Sequence, residues 1–284
     1  MSYYDLPVVK APPWTWTIPA YFYVGGVAGA SATLHGAIKL ARQGRELTPL
    51  VGKLRWLSMI GEAISGGLLI ADLGRPERFH HMLRGFRPKS PMSVGTWILS
   101  AAGATSAIEV ARNLLGSTND GLTATSAINM VAGAGLTTYT GVLVGNTALP
   151  VWRAIRVPLP ALFAASAGAS AASVLELLGA SSRGERRLVR RFSIATKTSA
   201  LVASLAVQRA AGAGIVGAPL REGTSGTMWR WSQVLGAASL AATVLRQPRI
   251  AGVLGTVAGV TMRYAIAAAG QASAAEARAT LDPG

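Results

Sequence analysis

The 284-residue chain contains no cysteine and only three histidines, His35, His80 and His81. Without cysteine there are no thiolate-held iron–sulfur clusters, no covalently attached c-type haem and no disulfides. Only His35 lies inside a long apolar run, so the facing histidine pair of a bundle-held b-type haem is missing too. The chain is therefore expected to hold no haem and no metal, and any electrons it handles must arrive on a partner and leave on a diffusible carrier. Charge is also scarce. Charged residues make up 14% of the chain, against about 25% in a soluble domain. So little charge cannot clothe a water-facing surface, and much of the exterior is expected to face lipid.

Half of the residues are hydrophobic, and mean hydropathy is +0.38. The apolar runs are long and unbroken, unlike the short alternating segments of a membrane barrel. Abundant glycine and alanine suit close packing of helices in a bilayer. Eight segments are long enough to cross a hydrocarbon core of about 30 Å: residues 18–40, 54–73, 92–115, 122–147, 158–179, 192–212, 228–245 and 250–270. The sequence thus predicts an all-α integral membrane protein of eight transmembrane helices, arranged as two four-helix bundles. Residues 1–17 form an extramembrane segment, 18–155 the first bundle, 156–270 the second and 271–284 a polar tail. The first seventeen residues are polar and aromatic, unlike a cleavable signal peptide, and the first apolar segment is long enough to span and stay. Pro49, Pro91, Pro158 and Pro248 mark helix edges. Trp14, Trp16, Tyr21 and Tyr23 read as an interfacial aromatic belt.

The net charge of +15 comes from basic residues in the gaps between apolar runs. That pattern points to loop charges that orient the chain and touch anionic lipid, not to nucleic acid. Lys and Arg counts are level on the two sides of the membrane. Setting aside the 71–97 loop as functional tilts the balance towards an extracytoplasmic N-terminus and loop 71–97 in a bacterial inner membrane.

Inside the spans polar residues are few. Glu62 is the one acid deep in an apolar run, and an acid at that depth faces the bundle interior and often marks a proton path. Lys197 and Arg209, Arg230 and Arg263 are expected to snorkel to the headgroups. Glu109 and Glu176 read as interfacial, and His35 as an interfacial or core contact. Gly25, Gly29 and Ala32 form a small-residue packing stripe, not a nucleotide fingerprint, since no strand precedes them.

Loop 71–97 is the most densely charged stretch. Asp72 sits at a helix end, Gly74 and Pro76 stop the helix, and Arg75, Arg78, Arg84 and Arg87 follow. Ser90-Pro91 has the form of an N-cap and first residue for the next helix. The strings Asp72-Leu-Gly-Arg-Pro-Glu-Arg-Phe79 and Ser90-Pro-Met-Ser-Val-Gly-Thr-Trp97 resemble the signature of the NrfD family of polysulfide-reductase-type membrane subunits. Trp14-Thr-Trp16 leading into Tyr21-Phe-Tyr-Val-Gly-Gly26 resembles the family's first span. Tyr139-Thr-Gly-Val-Leu143 and Asn146-Thr-Ala-Leu-Pro150 resemble its fourth.

The resemblance implies a cofactor-free membrane subunit that docks a ferredoxin-like iron–sulfur subunit. Through that subunit it would serve a molybdopterin or other catalytic subunit, passing electrons to or from a quinone, either menaquinone or ubiquinone. In the family the quinone head is held by a tyrosine of the fourth span and by an Asn and a His at the start of the first. Tyr139 matches the tyrosine, while the first-span positions fall on Ile18 and Tyr21. Ile18 has no side-chain hydrogen bond to offer; Tyr21 does. On this reading Tyr21, Tyr139, Asp72 and Ile18 form the quinone site. Asp72 and Glu62 move protons, and Arg75, Arg78, Arg84 and Arg87 dock the partner. Two other readings fit the bare sequence: a membrane anchor without a quinone site, or a small-solute or ion transporter.

Overall fold

The computed structural model describes residues 14–41, 45–73, 77, 81, 83–116 and 121–275. Among them there are helices and connections but no strand. The α-helices are α1 (Thr17–Leu40), α2 (Thr48–Ala71), α3 (Pro91–Leu114), α4 (Ala124–Gly145), α5 (Pro150–Ala154), α6 (Leu159–Leu178), α7 (Arg183–Ala211), α8 (Gly223–Val244) and α9 (Pro248–Ala275). Short 3-10 helices lie at Arg45–Leu47 and Ile215–Leu220. All but α5 coincide with one of the eight apolar segments. Five of them, α2, α3, α4, α6 and α9, are long and apolar enough to cross a membrane, and the protein is a multi-pass membrane protein. The other three are less apolar. Glycine, serine and threonine dilute α1, α8 opens on Gly223-Thr-Ser-Gly-Thr227, and α7 begins with Arg183, Arg186, Arg187, Arg190 and Arg191.

The helix edges follow local chemistry. Ser90 caps α3 by accepting from the Ser93 amide, and Pro91 is its first residue. Thr123 and Ser126 form a reciprocal capping box on α4. Pro49 sits in the first turn of α2, and Pro248 opens α9. α6 and α7 end on Gly179 and Gly212, both at positive φ.

Some edges differ from the sequence expectation. α2 starts at Thr48, because a proline in its first turn lets the helix begin before the apolar run does. α7 starts at Arg183 because its arginines lie on a helical face instead of in a loop. α9 continues to Ala275, into the predicted tail.

Successive long helices alternate in direction, which gives the molecule two ends. The starts of α1, α3, α6 and α8 and the ends of α2, α4, α7 and α9 share the end that carries loop 71–97, here the loop face. α1 packs on α2 and α4, and α3 on α4; α6 packs on α7 and α9, and α8 on α9. α1 and α4 both pack on α6, joining the two sets. The small-residue stripe does what was expected of it. A methyl group at Gly29 would stand 2.6 Å from the Gly133 carbonyl oxygen, so α1 and α4 touch backbone to backbone.

The main core lies towards the loop face and includes Ile18, Tyr21, Phe22, Leu99, Leu136, Trp152 and Phe163. Aromatic rings run through it in series. Tyr21 meets Phe22 at 5.7 Å between centroids, Phe22 meets Phe163 at 5.8 Å, and Arg263 lies 3.8 Å over the Phe163 ring. Trp14 stacks on Trp152 at 5.1 Å, and the Trp152 indole donates to the Ile266 carbonyl at 2.8 Å. The aromatic-belt expectation therefore fits Trp16, which is exposed, but not Trp14 or Tyr21, which turn inward to fill the junction between the helix sets.

Candidate functional site

Tyr21 and Tyr139 come together. Tyr21 is four residues into α1 and Tyr139 six residues before the end of α4, so both lie about 6–9 Å below the loop face. Both rings are buried, and the two phenol side chains interact directly. α3 provides the space: the Tyr139 ring lies over Gly95, where any side chain would overlap it. α2 closes the other flank with Ser65, whose Oγ would be 3.2 Å from a methyl at Gly25. Ile18 is buried in the same cluster, one helical turn before Tyr21, with Leu99 and Leu136. The two phenol groups thus lie together among largely apolar packed side chains, with Ser65 at the flank. A phenol hydroxyl can donate to a carbonyl acceptor.

Asp72 stands at the loop face, above Tyr21. Its Oδ1 accepts from Thr15 Oγ1 at 2.8 Å and from Thr17 Oγ1 at 2.7 Å. The carboxyl thus ties the end of α2 to the start of α1, where the helix dipole favours an anion. The sequence placed Asp72 at a helix C-terminus; the structure adds the N-terminus that receives it.

Arg84 and Arg87 are exposed, and with His81, Gly85, Ser90, Met92, Ser93 and Thr96 they line a groove of about 370 Å³ at the start of α3. Ser93 Oγ holds its shape, accepting from the Arg87 amide at 3.1 Å and donating to the Gly85 carbonyl at 3.4 Å. Phe86 packs edge-on against Trp97 beside it. Arg75 and Arg78 lie outside the described residues.

Glu62 is buried on α2, and neither carboxyl oxygen has a hydrogen-bond partner among the described residues. Ser106 of α3 is its nearest polar neighbour, and Ser106 in turn accepts from Asn129 Nδ2 at 2.9 Å. Further towards the opposite end lies His35, fully buried, with neither ring nitrogen hydrogen-bonded among the described residues. The charges around it are Lys39, Arg55 and Glu109. Between α2, α3, α4 and α1 there is thus a string of polar side chains below the tyrosines.

Several charged residues depart from the expectation. Glu109 is not left to water: it pairs with Lys39 at 3.1 Å, both groups are 5% exposed, and Thr123 and Thr125 also donate to it. Glu176 and Lys197 also find their partners within the protein. They pair at 2.6 Å, and Thr243 bonds to both. Arg263 does not snorkel; it is 2% exposed and donates to the Phe163 carbonyl and Ser166 Oγ, each at 3.0 Å. In each case a neighbouring helix supplies a partner more cheaply than the side chain can reach water. Arg209 and Arg230 are exposed, as expected. Lys39–Glu109 joins the same end of the parallel helices α1 and α3, and Glu176–Lys197 joins the consecutive antiparallel helices α6 and α7. Among the described residues no three of His, Asp and Glu are grouped as metal ligands.

The polysulfide reductase pattern of the NrfD type matches residues 1–277 of the sequence. The chain belongs to that family. Members of the NrfD family are membrane subunits of redox complexes, and this chain is such a subunit. The match extends through α6, α7, α8 and α9, beyond the segments whose motifs carried the resemblance. No curated protein matches the sequence. In this NrfD-family subunit Tyr139 and Tyr21 are both buried and meet below the acid that closes α2.

Proposed function

We propose that the protein is the quinone-reactive subunit of its complex, passing electrons between an iron–sulfur partner and the quinone pool of a bacterial inner membrane. One observation carries the reading: Tyr21 and Tyr139, more than a hundred residues apart, bring their buried phenol groups together towards the end where Asp72 closes α2. On this reading all eight long helices span, and the two tyrosines lie one to two turns inside the bilayer. The loop face then lies on the extracytoplasmic side, and two four-helix sets meet at α1 and α6.

The quinone, menaquinone or ubiquinone, would supply two-electron redox chemistry when bound. Tyr139 donates a hydrogen bond to its head, Tyr21 holds Tyr139 in place or shares the contact, and Ile18, Leu99 and Leu136 exclude water. Asp72, at the water edge, exchanges protons with the loop side. The groove at Arg84 and Arg87 offers cations to an acidic rim on the iron–sulfur partner, which in turn contacts a molybdopterin or similar catalytic subunit. Glu62, with Ser106 and Asn129 beyond it, offers a route for protons from the opposite side.

The test is co-purification from the native membrane, followed by quinone extraction. An iron–sulfur subunit in the complex, bound quinone in the wild type and its loss in Tyr139→Phe support the reading. A complex that retains its partner but binds no quinone, and whose turnover ignores quinone analogues, leaves an anchor only.

A further inference from the structure

At the end opposite the loop face the structure holds a cavity of about 650 Å³, in the range of about 300–1,000 Å³ typical of small-molecule sites. Arg183, Arg186, Arg187, Arg190 and Arg246 line it, over a floor of Leu175, Val189 and Pro248. The first four follow a spacing of three, one and three residues, which sets them on one face of α7. Like charges at that spacing repel, so the face is destabilised by its own composition.

The protein does little to relieve it. Arg190 donates to the Thr243 and Val244 carbonyls at 3.4 and 3.2 Å, closing the end of α8. Arg183, Arg186, Arg187 and Arg246 have no ion pair among the described residues. Of the acids nearby, Glu176 is held by Lys197 and Thr243 and Glu185 by Lys53 at 2.6 Å, while Glu46 lies against Gly184 and makes no ion pair with these arginines among the described residues. Arg246 carries a second sign. It is the only non-glycine among the described residues at positive φ, 60°, and it occupies the turn after α8. There the Gln247 amide returns to the Ala242 carbonyl at 2.9 Å, a turn that ordinarily takes glycine. An arginine held there against its backbone preference keeps a cation at the cavity wall.

The rim is apolar where it meets the bilayer. Leu178, Leu245, Ile250 and Val253 are all more than half exposed and stand on α6, the end of α8 and the start of α9 beside the cavity. Cations facing a concave polar space, above aliphatic side chains facing hydrocarbon, match a molecule with a phosphate at one end and acyl chains at the other. We propose that this cavity is a binding site for an anionic phospholipid, its phosphate held by Arg183, Arg186, Arg187 and Arg246 and its chains laid along Leu178, Leu245, Ile250 and Val253. The site is distinct from the tyrosine pair and lies at the opposite end of the helices.

The experiment is native mass spectrometry of the detergent-purified full chain, titrated with dioleoyl-phosphatidylglycerol or dioleoyl-phosphatidylcholine. It needs no electron donor or quinone, so it stands apart from the redox assignment. The wild type should prefer the anionic lipid by about tenfold or more, because the cavity's cations attract an anionic headgroup. The variant Arg183→Gln/Arg186→Gln/Arg187→Gln should lose that preference. Arg246→Gly should weaken it while keeping or raising thermal stability, because glycine relieves the positive φ; loss of lipid there cannot be laid to misfolding. Arg209→Gln/Arg230→Gln, on the loop face, should bind like the wild type. Equal binding of the two lipids by the wild type, or an undiminished preference in both cavity variants, overturns the proposal. So does displacement of the phosphatidylglycerol by millimolar inorganic phosphate, which would mark a soluble phosphate site.

Discussion

The Tyr139 ring rests on the bare backbone of Gly95, with no room for even a methyl group between α3 and the phenol. Gly95→Ala therefore moves Tyr139 without altering its chemistry. Misplacement by a fraction of an ångström to 1 Å costs on the order of tenfold to 100-fold in rate. The expected result is a fall of that size in quinone-coupled turnover, with the partner subunit still bound. Wild-type turnover in Gly95→Ala would mean that the ring position does not matter to the chemistry.

Asp72 has two separable properties: its oxygen accepts from Thr15 and Thr17, and its carboxyl can exchange a proton. Asp72→Asn keeps an acceptor and removes the exchangeable carboxyl proton. Thr17→Val removes one hydrogen bond, worth about 1 kcal/mol, and leaves the acid. The first should lower quinone turnover by about tenfold or more, the scale of a lost acid–base group. The second should lower the melting temperature and spare turnover. The reverse pattern would make Asp72 a structural tie.

Glu62 is buried without a hydrogen-bond partner among the described residues, which is where a proton-carrying acid must be to accept and release. Glu62→Gln in sealed vesicles should reduce proton movement coupled to quinone turnover while the redox half-reaction continues. Proton movement equal to the wild type's would remove Glu62 from any relay.

Lys197 and Glu176 are joined at 2.6 Å inside the second helix set. Removing one partner strands the other, so Lys197→Met or Glu176→Gln should each destabilise the protein by about 3–5 kcal/mol. The double change Lys197→Met/Glu176→Leu should recover most of the loss, because neither charge is left uncompensated. Thermal unfolding of the four proteins in one detergent gives the comparison. A double variant no better than the singles would show that the pair is needed for more than its own neutralisation.

The helices were legible because hydrocarbon enforces a simple rule: a span needs a long apolar run, and each of the eight runs became a helix. The caps at Ser90 and Pro91 were legible for a local reason, since both sides of the interaction lie within four residues. Tyr139, Tyr21 and Ile18 came from the resemblance, and their meeting was not readable from spacing, because it depends on how α1 and α4 rotate about their axes. The partners of Glu109, Glu176 and Arg263 were not readable either. Each contact is made across 21 to 100 residues of sequence, and a charge near a span end has a second option, water, that the sequence cannot weigh against a neighbour. The arginines of α7 read as a loop because their density hid a helical spacing.

The stacked indoles of Trp14 and Trp152, and the hydrogen bond from Trp152 to α9, act as a rivet through the joint between the helix sets at one end of the molecule. A carrier that works by rocking its halves would have to unstack those rings and break that bond on every cycle. A riveted joint instead suits a scaffold that holds two reaction partners at one fixed separation. The gap between them is then set by the protein and does not change from turnover to turnover.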